Sequence, residues 1–167
     1  MKEKWGYKTI YKGKEFRSSL ETEMAYLLDS MNLKWLYELK RFRLSNGKSY
    51  LPDFYLPELK IWIETKGVIE DFEREICELF VQEYEEHLLL ISKEEVFYYG
   101  NEYGKEVYED SYVSLGKCSK CDSYFFSSNF GLYNCKKCGN HEGDHDLLGK
   151  IEGLNTLEDW RGKREWT

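Results

Sequence analysis

Asp53, Glu64 and Lys66 are the residues whose types and spacing could do chemistry in this chain, within the runs Leu51-Pro52-Asp53-Phe54 and Ile63-Glu64-Thr65-Lys66-Gly67. In extended backbone, side chains alternate between two faces, so Glu64 and Lys66 share one face and Ile63 and Thr65 the other. Two carboxylates and an ammonium converging on a strand pair would seat a divalent cation and the water it activates. Carboxylate oxygens select hard cations such as Mg²⁺ or Mn²⁺. Crowded carboxylates also raise one another's pKa unless a dication compensates them. The matching reaction is phosphodiester hydrolysis, whose barrier an enzyme must lower by roughly 8–23 kcal/mol. A single lysine supplies too little; Lewis-acid polarisation and water activation supply more. Taken singly, these residues have plainer readings: Asp53 after Pro52 suits a turn, and Glu64 with Lys66 suits a solvated strand face.

A second cluster lies further along. Cys118-Ser119-Lys120-Cys121 and Cys135-Lys136-Lys137-Cys138 are separated by thirteen residues. Each tight turn aims two thiolates at one point, and two such turns complete a tetrahedral Zn²⁺ shell of Cys118, Cys121, Cys135 and Cys138. A segment this small buries too little apolar surface to fold alone, whereas bound zinc supplies on the order of 10–16 kcal/mol. Paired disulfides are the alternative. The module looks like a zinc ribbon, with a hairpin expected through Tyr124–Phe126 and Leu132–Tyr133, and its closed shell suits structure rather than catalysis. Lys117, Lys120, Lys136 and Lys137 flank the knuckles and would meet phosphates. His141, Asp144, His145 and Asp146 read as a polar loop, and Cys77 as a small core residue.

The elements that must position the acids follow from periodicity. Leu20, Met24, Leu27, Leu28 and Met31 form a helical stripe opening at Ser18 or Ser19, where Ser18 and Glu21 fit a capping box. Trp35–Leu44 and Tyr50–Leu56 read as two strands joined by Ser45-Asn46-Gly47-Lys48, a hairpin turn. Lys60–Lys66 is a third strand, and Gly67 frees the chain for a second helix near Ile69 with Phe72, Ile76, Leu79 and Phe80 on its apolar side. Leu88–Ile91 is a short buried strand. The order is αβββαβ, an α/β (α+β) pattern. A short helix is expected at Lys93–Tyr99 and another at Leu154–Arg164. The chain divides into a core over 1–115, the zinc ribbon over 116–141 and a tail over 142–167.

In this order and spacing, Phe16-Arg17-Ser18-Ser19-Leu20-Glu21, Tyr37-Glu38, Pro52-Asp53-Phe54 and Glu64-Thr65-Lys66-Gly67 resemble the PD-(D/E)xK nuclease superfamily, over about residues 11–91. The resemblance implies a restriction-endonuclease-like core, a mixed sheet flanked by helices. It implies that Asp53 and Glu64 hold the cation, with the backbone carbonyl of Thr65 as a further ligand. Lys66 would orient or deprotonate the attacking water and steady the developing charge. Glu21 matches the acid that often completes the site from the first helix, and Glu38 would support it from the first strand. The superfamily's motifs do not choose among its substrates.

Bulk composition bounds the rest. The net charge of −7 sits awkwardly with a nucleic-acid substrate, but it is unevenly spread. Residues 1–66 carry 13 Lys/Arg against 9 Asp/Glu, and residues 67–115 carry 3 against 14. Phosphate attraction depends on patches within about a Debye length, ~10 Å, and the acids at 53 and 64 lie in the basic part. Arg41 and Arg43, with Trp5, Tyr7 and Tyr11, are candidates to clamp or stack on a substrate strand. Apolar runs such as Leu88–Ile91 fall far short of the roughly 20 residues that span a bilayer, and the amino terminus has no apolar leader; the expectation is a cytoplasmic protein. The reading is a metal-dependent endonuclease using Mg²⁺ or Mn²⁺ on nucleic acid, DNA before RNA, by in-line attack of an activated water. A homodimer would supply the two sites that a double-strand cut needs. Two other readings stand beside it. One is a catalytically silent nucleic-acid-binding module. The other is an acidic protein whose 70–110 region docks a protein partner or mimics DNA.

Overall fold

The computed structural model describes residues 8–102, 106–128, 135, 137–139 and 146–157. A hairpin of β1 (Thr9–Tyr11) and β2 (Lys14–Phe16) leads into α1 (Ser19–Ser30). Then come β3 (Leu36–Tyr37), β4 (Phe42–Arg43), β5 (Ser49–Tyr50), β6 (Phe54–Leu56) and β7 (Ile61–Thr65). After α2 (Asp71–Tyr84) follow β8 (Leu88–Ile91), β9 (Val96–Glu102), β10 (Glu106–Asp110), β11 (Val113–Lys117), β12 (Tyr124–Ser128) and β13 (Asp146–Ile151). The architecture is mixed α+β.

The central sheet has the order β10-β9-β8-β7-β6-β3. β7 and β8 run parallel because α2 carries the chain across between them, while the other neighbours are antiparallel. Period-2 alternation assigns its two faces. Phe54, Leu56, Ile61, Ile63, Leu89 and Ile91 pack with Leu20, Met24, Leu27 and Leu28 of α1. Trp62, Leu88, Leu90 and Tyr99 pack instead with Cys77, Phe80 and Val81 of α2 and with Phe42 and Tyr50. Burying a large aliphatic or aromatic side chain is worth about 1.5–3 kcal/mol, so a one-residue slip of β7 would expose one core and bury charge in the other.

The sequence order αβββαβ is present as α1-β3-β6-β7-α2-β8, but two expected strands are each broken. Trp35–Leu44 divides into β3 and β4, and Tyr50–Leu56 into β5 and β6. Glu38 adopts a left-handed backbone at φ 48°, which interrupts an extended strand. Pro52 lacks the N–H that a continuous ladder needs. The result is that β4 and β5 form a separate hairpin off the sheet. Its turn is the expected one: Gly47, at φ 84°, donates to the Leu44 carbonyl, and Lys48 N–H to Asn46 Oδ1.

The helix expected at Lys93–Tyr99 is instead a tight turn and the start of β9. Ser92 N–H donates to the Glu95 carbonyl and Glu95 N–H to Ser92 Oγ, after which Val96–Tyr99 pair with β8. Branched and aromatic side chains prefer that pleated surface. Both other helices start as the sequence indicates. Ser18 Oγ accepts the Glu21 N–H at 3.2 Å, and α2 opens with a reciprocal capping box of Glu70 and Glu73.

β11 pairs with β12 on one side and β13 on the other. β11 runs across residues 115 and 116, and Val113, Leu115, Tyr124, Phe125, Phe126 and Ile151 share the core that covers α1. Beyond β13, Leu154 and Asn155 donate N–H groups to the carbonyls of Ser92 and Lys93. Leu154–Leu157 is a single helical turn, and residues 158–164 of the expected last helix lie outside the described residues, as do Leu132–Tyr133. Among the described residues, no helix is long and apolar enough to cross a membrane.

Candidate active site

The antiparallel register of β6 and β7 sets Phe54 opposite Ile63. One step outward, Asp53 stands across from Glu64 on the face opposite the α1 core. Both are buried, at 3% and 5% exposure. Asp53 is held from several sides. Its Oδ2 accepts the N–H and the hydroxyl of Thr65, each at 2.8 Å, and its Oδ1 faces Arg17 at 3.4 Å. Its own N–H donates to Glu64 Oε1 at 3.2 Å, and its carbonyl accepts the N–H of Glu38 at 2.9 Å. The left-handed turn at Glu38 that splits the first strand therefore serves to fix Asp53.

Lys66 follows β7 with its N–H on the Ile91 carbonyl. Its Nζ lies 3.3 Å from Glu64 Oε2 and 3.9 Å from Glu73 Oε1. Glu21, in the first turn of α1, is buried and turns its carboxylate toward the same place, accepting from Ser18 Oγ and from the Tyr37 hydroxyl. The structure thus brings Glu21, Asp53, Glu64, Thr65 and Lys66 to one cleft of about 350 Å³. Its walls are the β4–β5 hairpin, with Arg41 and Ser49, and the first turns of α2, with Phe72, Glu73 and Ile76.

Electrostatics here are those of crowded acids. Burial pushes the Asp53 carboxyl well above the usual range, and the negative charges of Glu64 and Glu21 push it further. Burial likewise pushes Glu64 up to about 7 despite the opposing pull of Lys66. Burial works against the Lys66 ammonium, but Glu64 and Glu73 outweigh it and hold the amine protonated. Oxygen donors on adjacent strands, with a repulsion that only a cation relieves, suit a hard divalent ion.

Sequence reasoning gave three neighbours no role, or too small a one. Arg17 spans Glu38 Oε1 at 3.0 Å and Asp53, at the mouth of the cleft. Tyr37 donates to Glu21 while its ring packs on Phe16 and Phe54. Glu73 reaches Lys66 from α2; its only sequence signal was the Glu70-x-x-Glu73 capping pattern. Of the basic candidates, Arg41 lines the cleft and donates to Ser49 Oγ, whereas Arg43, Lys117, Lys120 and Lys137 do not line it. Lys136, His141 and His145 lie outside the described residues.

The cysteines converge separately. Ligand atoms of Cys118, Cys121, Cys135 and Cys138 all lie within 4.8 Å of one another. Sulfur separations of 3.7 Å (Cys118–Cys138) and 3.6 Å (Cys121–Cys135) are too long for disulfides. Asp122 N–H donates to the Cys118 carbonyl, and Gly139 N–H to that of Cys135, closing the two knuckles.

Residues 1–124 match the model of the family described as phage endonuclease I. The chain belongs to the phage endonuclease I family. That match contains α1, β6 and β7, and so Glu21, Asp53, Glu64 and Lys66. "Endodeoxyribonuclease 1" of Enterobacteria phage T3 is 42% identical over 65 residues, which is 37% of this chain and 42% of that protein. The chain thus spans less than half the length of this curated phage endonuclease I relative. No solved structure matches.

Proposed function

We propose that the protein is an endonuclease that hydrolyses phosphodiester bonds in DNA, using a divalent cation seated by Asp53 and Glu64. The observation that carries this reading is the register of β6 and β7, which sets two buried carboxylates across from each other with the Lys66 ammonium beside Glu64. Membership of an endonuclease family and likeness to a phage endodeoxyribonuclease support it and point to DNA. The core is of the restriction-endonuclease-like type, with the PD-(D/E)xK motif at Asp53, Glu64 and Lys66.

Asp53 and Glu64 would hold Mg²⁺ or Mn²⁺, with the Thr65 carbonyl and the Glu21 carboxylate completing the donor set. When bound, the ion supplies Lewis-acid polarisation of the phosphoryl oxygen and a nucleophilic water at neutral pH. Lys66, kept protonated by Glu64 and Glu73, donates hydrogen bonds to the incoming water and to the charge that develops on phosphorus. Arg17 at the mouth is placed to meet a non-bridging phosphate oxygen. Cys118, Cys121, Cys135 and Cys138 would hold a structural Zn²⁺ apart from this chemistry.

The test is incubation of supercoiled plasmid and oligonucleotides with Mg²⁺ or Mn²⁺, wild type beside Asp53→Ala and Lys66→Ala. Cleavage that requires the metal and falls by about 10²–10³-fold in each variant is expected, the range for removing one charge-stabilising donor. Binding without turnover would mean the silent module, and an absence of both would leave the acidic-partner reading.

A further inference from the structure

The four clustered cysteines are spaced for a metal and poised for oxidation. With Zn–S bonds of about 2.3 Å, a tetrahedral shell has sulfur–sulfur edges of about 3.8 Å. The Cys118–Cys138 and Cys121–Cys135 separations, 3.7 and 3.6 Å, match those edges. Each pair joins one knuckle to the other, and about 1.6 Å of closure separates each from the ~2.05 Å of a disulfide. Exposure within the pairs is unequal. Cys138 is exposed and Cys121 partly so, whereas Cys118 and Cys135 are buried. Each pair therefore sets a reachable sulfur against a protected one. Zinc keeps its thiol ligands deprotonated, and the thiolate is the form that reacts. A reachable thiolate beside a second sulfur is the arrangement of a cysteine that oxidises and is then resolved. Cys77, buried among the apolar side chains that pack on α2, is out of reach.

The same module touches the elements that position the acids of the cleft. Leu115, Tyr124 and Phe126 of its strands share a core with Leu20 and Met24 of α1, the helix of Glu21. Lys137, in the second knuckle, pairs with Glu58 at 3.0 Å in the turn between β6 and β7, the ladder that sets Asp53 across from Glu64. Glu58 also accepts the Lys34 N–H, where the chain passes from α1 to β3.

We propose that the four-cysteine module is a redox switch: a peroxide oxidises its thiolates to two disulfides, Cys118–Cys138 and Cys121–Cys135, which releases the zinc and turns cleavage off. This rests on the endonuclease reading and on zinc at these cysteines, and adds regulation of that activity. In each pair, the reachable thiolate gives two electrons to one peroxide and becomes a sulfenic acid as hydroxide leaves. The buried partner thiolate then attacks that sulfur, forms the S–S bond and expels a second hydroxide. Two peroxides and four protons thus yield two disulfides, four waters and free Zn²⁺. The knuckles lose the ion that closes them, and the strands over α1 and the tether at Glu58 shift with them.

The experiment treats the zinc-loaded full chain with hydrogen peroxide. It follows zinc release with a chromophoric chelator, intact mass after denaturation, and plasmid cleavage with Mg²⁺. Release should reach one zinc per four thiolates as the mass falls by four hydrogens. Cleavage should fall by about 10²-fold, the cost of an ångström-scale misplacement of reacting groups. A phosphine reductant with added Zn²⁺ should restore both zinc and cleavage. Zinc release that leaves cleavage intact overturns the switch, as does a loss of cleavage that reduction does not reverse, or a chain that holds no zinc at the outset. Cys77→Ala, scored against its own untreated activity, should keep the full response; a response lost in that variant overturns the assignment to the module. Cys138→His, with a shell of three cysteines and one histidine, should lose zinc to peroxide more slowly because the reachable sulfur is gone, and an equal rate overturns the proposal. If untreated protein cuts no DNA with Mg²⁺ or Mn²⁺, the endonuclease reading fails by itself. Reversible, peroxide-driven zinc release then still decides on the cysteines.

Discussion

Tyr37 shows how much of the cleft is set one side chain away from the acids. Its hydroxyl donates to Glu21 and its ring packs on Phe16 and Phe54. Burial, then the bond to Glu21, pushes the phenol's pKa up, so it stays a donor at any working pH. Tyr37→Phe keeps the ring and removes the donor. A hydrogen bond to a charged group is worth about 1.5–3 kcal/mol, so kcat is expected to fall about tenfold or more. The Mg²⁺ concentration for half-maximal rate should rise, and Tm should fall with it, because the same bond holds the buried Glu21 in the fold. Indistinguishable Mg²⁺ titrations for wild type and variant would remove Glu21 from the reaction. The acids, Lys66 and the cysteines were all legible as residue types in sequence order. Arg17 and Tyr37 stood inside the recognised motifs without roles, because a hydrogen bond between residues sixteen positions apart leaves no local pattern.

At the level of elements, Asp29 holds the amino-terminal hairpin to α1. It lies in the last turn of the helix, where an anion faces the negative end of the helix dipole. Three donors compensate: Tyr11 Oη at 2.7 Å, Trp35 Nε1 at 2.9 Å and Lys12 Nζ at 3.0 Å. Burial would raise its pKa, but these donors outweigh burial and lower it. A carboxylate with a depressed folded pKa stabilises the fold above its unfolded pKa of about 3.9. That stabilisation is lost as pH falls through the lower folded value. Thermal melts should show Asp29→Asn costing about 1 kcal/mol at neutral pH, with the difference from wild type shrinking as pH falls below about 3.9 and lost only once pH is below the folded value. A constant difference across that range would mean the charge is irrelevant. Strand existence here was readable from alternation, but strand length was not. Whether Trp35–Leu44 stays one strand depends on Glu38 turning left-handed to bond the Asp53 carbonyl, a contact made across the fold.

For the whole molecule, the cysteine knuckles are tied into the nuclease-like body rather than appended to it. β11 and β12 contribute Leu115, Tyr124 and Phe126 to the core over α1, and Lys137 pairs with Glu58 at 3.0 Å in the turn between β6 and β7. A Zn²⁺ ion binding these four thiolates stabilises the folded state by mass action. Metal analysis of purified protein should give about one zinc per chain. A chelator strong enough to strip zinc should lower Tm by ten degrees or more, whereas Lys137→Ala should leave Tm nearly unchanged because that pair is partly exposed. Protein that purifies zinc-free with an unchanged melt would refute the site. Many acids of the 70–110 stretch are engaged within the fold: Glu73 with Lys66, Glu83 with the Ser45 N–H, and Glu109 with Arg74 and Tyr99.

The sequence by itself determined the chemistry available here, because residue type and short spacing decide which side chains can share a strand face or a knuckle. It also determined the order of the main elements, since helical and strand periodicities are local. Tertiary structure alone decided that Asp53 and Glu64 stand across one β-ladder, that Arg17, Tyr37 and Glu73 surround them, and that Phe72 leaves its helical stripe for the cleft. Those outcomes depend on strand register and on which helix face finds a partner. Both are settled by packing between segments distant in the chain.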